Sequence, residues 1–152
     1  MKNAIDTLTG LWQLDIDAVH AYAQAIERVE LVEIRDRLME FRADHERHIR
    51  DLEICISQLG GTVGPRERDF KGFMIEGFTA LRSMAGTTGA LKAMQSNEEA
   101  TNRHYHEALS RDLPETARGV VARNYEDERR HLAYVTRLLD EGKVDDSSVH
   151  SN

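Results

Sequence analysis

Asp44-His45-Glu46-Arg47-His48-Ile49 and Asp127-Glu128-Arg129-Arg130-His131-Leu132 are two versions of one string, set 83 residues apart (127 minus 44). The same shift carries Asp15 onto Glu98, Tyr22 onto Tyr105, Leu8 onto Leu91 and Ala25 onto Ala108, in order and without a gap. With seven His and four Tyr in the chain, one such coincidence would be cheap; several together are not. The chain reads as a doubled unit.

Each unit reads as a helical hairpin. Ile5, Leu8, Trp12, Val19, Ala23 and Ile26 follow a helical period, and so do Ile34, Leu38, Phe41, Leu52, Cys55 and Leu59. No breaker marks the boundary inside Val29-Glu30-Leu31-Val32-Glu33, but the repeat lays Leu31 on Pro114 and so predicts a turn there. Gly60-Gly61 closes the second helix. A third apolar run begins at Phe70, is interrupted at Gly86-Thr87-Thr88-Gly89, and continues to about Leu109; the last helix runs to Glu141, before Gly142. Nothing reads as strand. The expected domain is an all-α four-helix bundle over 1–141: one hairpin over about 4–60, a long and partly helical crossover over about 61–86, and a second hairpin over about 87–141. The polar tail, 142–152, is expected to be disordered.

Composition narrows the function. The net charge is −7 with no basic run, which argues against a nucleic-acid surface. No stretch approaches the roughly 20 apolar residues of a membrane span, and the N-terminus lacks the apolar core of a signal peptide. Cys55 is the only cysteine, so neither an internal disulfide nor a thiolate metal site is expected, and a reducing cytoplasm is the default expectation.

Polar residues on the helix seams carry the chemistry. Positions 34, 38, 41, 45, 48, 52, 55 and 59 share one face at about 100° per residue, so His45 and His48 lie on the apolar stripe. Asp15 falls among Leu8, Trp12 and Val19; Glu98 among Leu91, Met94, Tyr105 and Leu109; Glu128 and His131 with Val121, Val135 and Leu138. Six candidate metal ligands, Asp15, His45, His48, Glu98, Glu128 and His131, thus converge on the bundle axis. Buried carboxylates lose hydration at several kcal/mol each and repel one another, which is expected to raise their pKa values when no metal is present. Divalent cations relieve both costs, and such ions accept oxygen and imidazole donors together.

Glu128-Arg129-Arg130-His131 is a Glu-x-x-His helix motif, and with the supporting acids it resembles the ferritin-like superfamily. The Asp15/Tyr22 spacing is similar to rubrerythrin-type helices. Phe70-Lys71-Gly72-Phe73, Gly89-Ala90-Leu91-Lys92 and Ser96-Asn97-Glu98 resemble a family of small bacterial ferritin-like proteins without a settled role. The resemblance implies two hairpins joined by one crossover and a di-iron centre, with one carboxylate from each of two helices and Glu-x-x-His from each of the other two. Two departures stand out. His45 occupies a position where the family has Glu and cannot bridge two metals as a glutamate does. Asp15 is one methylene shorter than the usual Glu. Three carboxylates set −3 against +4 for two ferrous ions, which leaves room for an added anion, an unequal site, or manganese or zinc in place of iron.

Around the ligands, Tyr22 and Tyr105 either hydrogen-bond the ligand carboxylates or simply pack in the core. Asp44 and Asp127, four residues before His48 and His131, either orient the imidazoles or sit solvated on the helix flank. The stripe Phe70, Phe73, Met74, Phe78, Leu81 and Met84 is expected to pack in the crossover or to form the surface of a homodimer or larger homo-oligomer. The leading functional expectation is a di-iron protein that reacts ferrous iron with dioxygen or peroxide. The alternatives are a non-catalytic helical stress or assembly protein with a degenerate or mononuclear site, and storage in a shell.

Overall fold

The computed structural model describes residues 1–67 and 86–142. Four helices account for most of them: α1 (Lys2–Arg28), α2 (Val32–Gln58), α3 (Gly86–Leu109) and α4 (Glu115–Glu141). There is no strand among the described residues. The fold is all-α, a bundle of four helices, three of them 27 residues and roughly 40 Å long.

Local chemistry sets the ends of these helices. Leu31 and Pro114, paired by the 83-residue shift, both stand at helix N-caps, of α2 and α4. Pro114 suits that place because its missing N–H would find no intrahelical partner there. After α2 the chain turns at Gly60 (φ +87°), and a Cβ on Gly61 would meet Ile5 Cγ2 and Ile56 Cγ2 at 2.9 Å. The glycine pair thus lets the end of α2 close against the start of α1. The quartet Gly86-Thr87-Thr88-Gly89, expected to interrupt the third run, is instead the first turn of α3, with Gly86 (φ +76°) at the junction.

α1 packs against α2 and α3, and α4 packs against α3 and α2. Tyr22 of α1 meets Glu98 of α3 while Asp15 meets Tyr105, so α1 and α3 run antiparallel. His48 with Asp127 and His131 with Asp44 say the same of α2 and α4. Two apolar clusters fill the interior. One joins Leu8, Leu11, Trp12, Leu52, Ile56 and Val121; the other joins Ala25, Leu38, Phe41, Leu91, Met94 and Val135. The polar residues lie between these two plugs.

Gln13 Nε2 donates to the Glu67 carbonyl (2.8 Å) beside the first plug, whereas Thr87 Oγ1 accepts from the Glu30 N–H (3.4 Å) at the opposite end. Glu53 ties the post-α2 segment down: it accepts from Trp12 Nε1 (3.0 Å) and pairs with Arg66. Most of the expected crossover, the Phe70–Met84 stripe and nearly all of the expected tail lie outside the described residues.

Candidate metal centre

Asp15, His45, His48, Glu98, Glu128 and His131 all have zero solvent exposure and meet at one place between the plugs. Each comes from a seam dictated by the helical period, which is why apolar neighbours surround them. His45 points inward with the rest. Their donor atoms form two overlapping groups able to hold a metal ion: Asp15, His45, His48 and Glu128, and His45, Glu98, Glu128 and His131.

The contacts are reciprocal. Tyr22 donates to Glu98 Oε1 (2.5 Å), and Tyr105 donates to Asp15 Oδ2 (2.5 Å). His48 Nε2 meets Asp127 Oδ2 at 2.9 Å, and His131 Nε2 meets Asp44 Oδ2 at 2.8 Å. Arg47 pairs with Asp127, and Arg130 with Asp44. The 83-residue correspondence turns Tyr22–Glu98 into Tyr105–Asp15, His48–Asp127 into His131–Asp44 and Arg47–Asp127 into Arg130–Asp44, so the sequence repeat is realised as an approximate two-fold relation between hairpins. Asp44 and Asp127 thus each contact an imidazole across the α2–α4 interface. Asp44, four residues before His48 on its own helix, meets His131 of the facing helix. With Nε2 of His48 and His131 committed to an aspartate, Nδ1 of each faces the interior.

The centre of the cluster breaks the symmetry. His45 occupies the place of Glu128 in the repeat, and both of its nitrogens face carboxylates: Nδ1 lies 2.6 Å from Asp15 Oδ1, and Nε2 lies 3.1 Å from Glu98 Oε1. Nδ1 is also 3.3 Å from Glu128 Oε1. His48 Nδ1 lies 3.0 Å from Asp15 Oδ1 and 3.2 Å from Glu128 Oε1. His131 Nδ1 lies 3.3 Å from Glu98 Oε1 and 3.6 Å from Glu128 Oε2.

These contacts overturn the expectation of uniformly strained carboxylates. Burial pushes Asp15 up, but the charge of His48 and the hydrogen bonds from His45 and His48 outweigh it and bring the group to about 2. Glu98 is also held well below its usual range, the His131 and His45 rings overcoming its burial. Only Glu128 rises, pushed by burial and by the negative charges of Glu98 and Asp15. Burial opposes the charging of His45, yet its hydrogen bonds to Asp15 and Glu98 lift it to about 10. His45 and His48, left out of a count of carboxylate repulsion, act as internal counter-charges.

Two atoms of the cluster have no hydrogen-bond partner despite their burial: Glu128 Oε1 and His131 Nδ1. A buried polar atom left so costs roughly 1–3 kcal/mol. Both are lone-pair donors aimed into the cluster, which fits a cation; oxygen and imidazole donors together suit a first-row transition metal.

Sequence reasoning passed over three groups of residues here. Thr101 Oγ1 donates toward Glu98 Oε2 (3.1 Å) and Glu128 Oε2 (3.4 Å), and Asn124 Nδ2 donates to the Tyr105 hydroxyl (3.3 Å). Thr101 lies three residues after Glu98 and Asn124 four before Glu128, spacings that share a helix face. Arg47 and Arg130 were visible as a pair within the repeated string. His104 is half-buried and His106 is exposed, and neither belongs to the cluster.

Residues 3–111 match the model of a domain of unknown function, DUF2383, and the chain belongs to that family. The matched segment takes in Asp15, His45, His48 and Glu98 and stops before Glu128 and His131. Neither a curated protein nor a solved structure matches the chain. No helix of the described residues is long and apolar enough to cross a membrane.

Proposed function

We propose that this chain is a ferritin-like metal protein whose buried cluster binds two transition-metal ions, iron first among them, and reacts ferrous iron with dioxygen or peroxide. The observation that carries the reading is the pair of buried donor atoms, Glu128 Oε1 and His131 Nδ1, left without hydrogen bonds among four nitrogen- and oxygen-bearing neighbours, Asp15, His45, His48 and Glu98. Manganese and zinc share the donor preferences and remain the competing ions.

In this reading Asp15 and His48 from one hairpin, Glu98 and His131 from the other, and Glu128, which belongs to both donor groups, would hold the ions. His45 is the sixth donor. Bound iron would supply the electrons that dioxygen or peroxide takes up. The chain supplies the rest. Asp44 and Asp127 fix the imidazoles so that Nδ1 faces inward. Tyr22 and Tyr105 steady the Glu98 and Asp15 carboxylates and stand as proton donors at their hydroxyls. The apolar plugs limit water on either side.

A second reading has one specific observation behind it. His45 already pairs with Asp15 and Glu98, so much of the core's charge is balanced without a metal. A helical protein with a mononuclear or relic site would look like this. Oxygen uptake separates the two. Protein supplied with ferrous ion under air should consume dioxygen above the buffer rate, and Glu128→Ala should abolish the excess. Metal binding with no excess oxygen consumption would favour the second reading.

A further inference from the structure

Both donor groups, Asp15, His45, His48 and Glu128 and His45, Glu98, Glu128 and His131, draw on His45. A neutral imidazole has one lone pair, so His45 can ligate through Nδ1 or through Nε2, with the other nitrogen keeping its proton. We propose that the centre is unequal: Asp15, His45, His48 and Glu128 hold a tight ion through four donors, and Glu98, Glu128 and His131 hold a weaker one through three. This rests on the reading of the cluster as a two-ion centre.

The surroundings decide which nitrogen of His45 ligates. Asp15 Oδ1 is engaged by His45 Nδ1 (2.6 Å) and His48 Nδ1 (3.0 Å), both of which become donors when a cation enters. Asp15 Oδ1 is thereby left bare for the ion, while Tyr105 stays on Oδ2. Glu98 is not released in the same way. Its Oε1 keeps the Tyr22 hydroxyl (2.5 Å), its Oε2 keeps Thr101 (3.1 Å), and the His45 Nε2–H (3.1 Å) remains on Oε1. A carboxylate already accepting three hydrogen bonds is a poorer donor to metal. Glu128 points the same way. Its unbonded Oε1 lies with His45 and His48, while its Oε2 lies toward His131.

The consequence is a division of labour within one cavity. The position with fewer protein donors would keep more room for an incoming ligand. Small oxidants would meet the chain at the Glu98–His131 side, where Phe41 stacks on His131 with ring centroids 4.1 Å apart.

Cobalt(II) titrated into the metal-free protein without oxygen tests this, since four-coordinate cobalt absorbs far more strongly in the visible than higher-coordinate cobalt. Two phases should appear, the first at least tenfold tighter and carrying the intense bands. His48→Ala, and Asp15→Asn, which preserves shape, should remove the tight phase. His131→Ala and Glu98→Gln should leave it intact and remove the second. Two equal phases, or loss of the tight phase on His131→Ala and Glu98→Gln, would overturn the inequality while leaving the metal centre standing. No cobalt uptake by the parent would overturn both this proposal and the two-ion reading beneath it.

Discussion

The Tyr22 hydroxyl sits 2.5 Å from Glu98, and Tyr105, its counterpart 83 residues on, sits 2.5 Å from Asp15, so each hairpin's tyrosine grips the other hairpin's acid. The two contacts are not equal in their surroundings, because Tyr105 also accepts from Asn124 (3.3 Å) and Tyr22 instead meets Phe41 edge-on. A buried hydrogen bond to a charged group contributes roughly 1.5–3 kcal/mol. Tyr22→Phe should therefore destabilise the metal-free protein by about 2 kcal/mol, and Tyr105→Phe by more, since it also strips Asn124 of its acceptor. Urea unfolding of both variants checks the order. Equal losses would mean that the Asn124 contact contributes nothing.

Stability of the metal-free protein should peak in mildly acidic solution. Asp15, lowered from 3.8 to about 2, contributes stability that is present above 3.8 and lost as pH falls toward 2. His45, raised from 6.5 to about 10, contributes stability that is full below 6.5 and drains away as pH rises toward 10. Glu128, raised above 4.5, works in the same direction as His45. The denaturation midpoint should thus be highest at about pH 4 to 4.5, decline above 4.5 as Glu128 loses its contribution, and fall further above 6.5 as His45 does. His45→Gln should flatten the alkaline limb. A parent midpoint that climbs steadily from pH 6.5 to 9 would contradict the assigned ion pairs.

Asp44 and Asp127 should matter far more than the arginines outside them. Each aspartate holds an inward-facing imidazole, and losing such a support typically weakens metal binding about 10- to 100-fold. Asp44→Asn and Asp127→Asn should each show that loss in zinc or manganese titrations. Arg47 and Arg130 are half-exposed, and exposed ion pairs contribute about 0–1 kcal/mol. Arg47→Gln should bind metal nearly as the parent does. Aspartate variants with parental affinity would show that the imidazoles are held by packing alone.

Much of this site was legible because two periodicities overlap in the sequence. The helical period put His45, His48 and His131 on apolar seams, and the 83-residue shift joined Asp15 to Glu98 and Tyr22 to Tyr105. What stayed hidden was which residue faces which across the bundle. A seam gives a direction and not a partner, so Asp44 was read against His48 on its own helix and not His131 on α4. Asn124 escaped for a different reason: it lies on Phe41 in the repeat, so the 83-residue shift gives it no polar counterpart. The carboxylate pKa values were misread because repulsion among acids was weighed without the imidazoles between them.

Metal entry should expel protons. His45, His48 and Glu128 all favour their protonated forms in the metal-free core, whereas metal ligands must be deprotonated. Calorimetric titration at pH 7 in buffers of different ionisation heat should report more than one proton released with the first ion. Binding with no buffer dependence would place the ion somewhere other than this cluster.

Metal content tests the central claim most directly. Protein purified after aerobic, iron-supplemented growth should carry a transition metal, iron foremost, up to two ions per chain. Stripping the metal should lower the melting temperature and returning it should restore it. Mass action gives about 2.7 kcal/mol of stabilisation at a free ion concentration of 100 times Kd. The Glu128→Ala/His131→Ala variant should carry less metal and gain less stability from it. Protein that holds no transition metal, and whose melting temperature is unmoved by ferrous, manganous or zinc ions, would contradict the account.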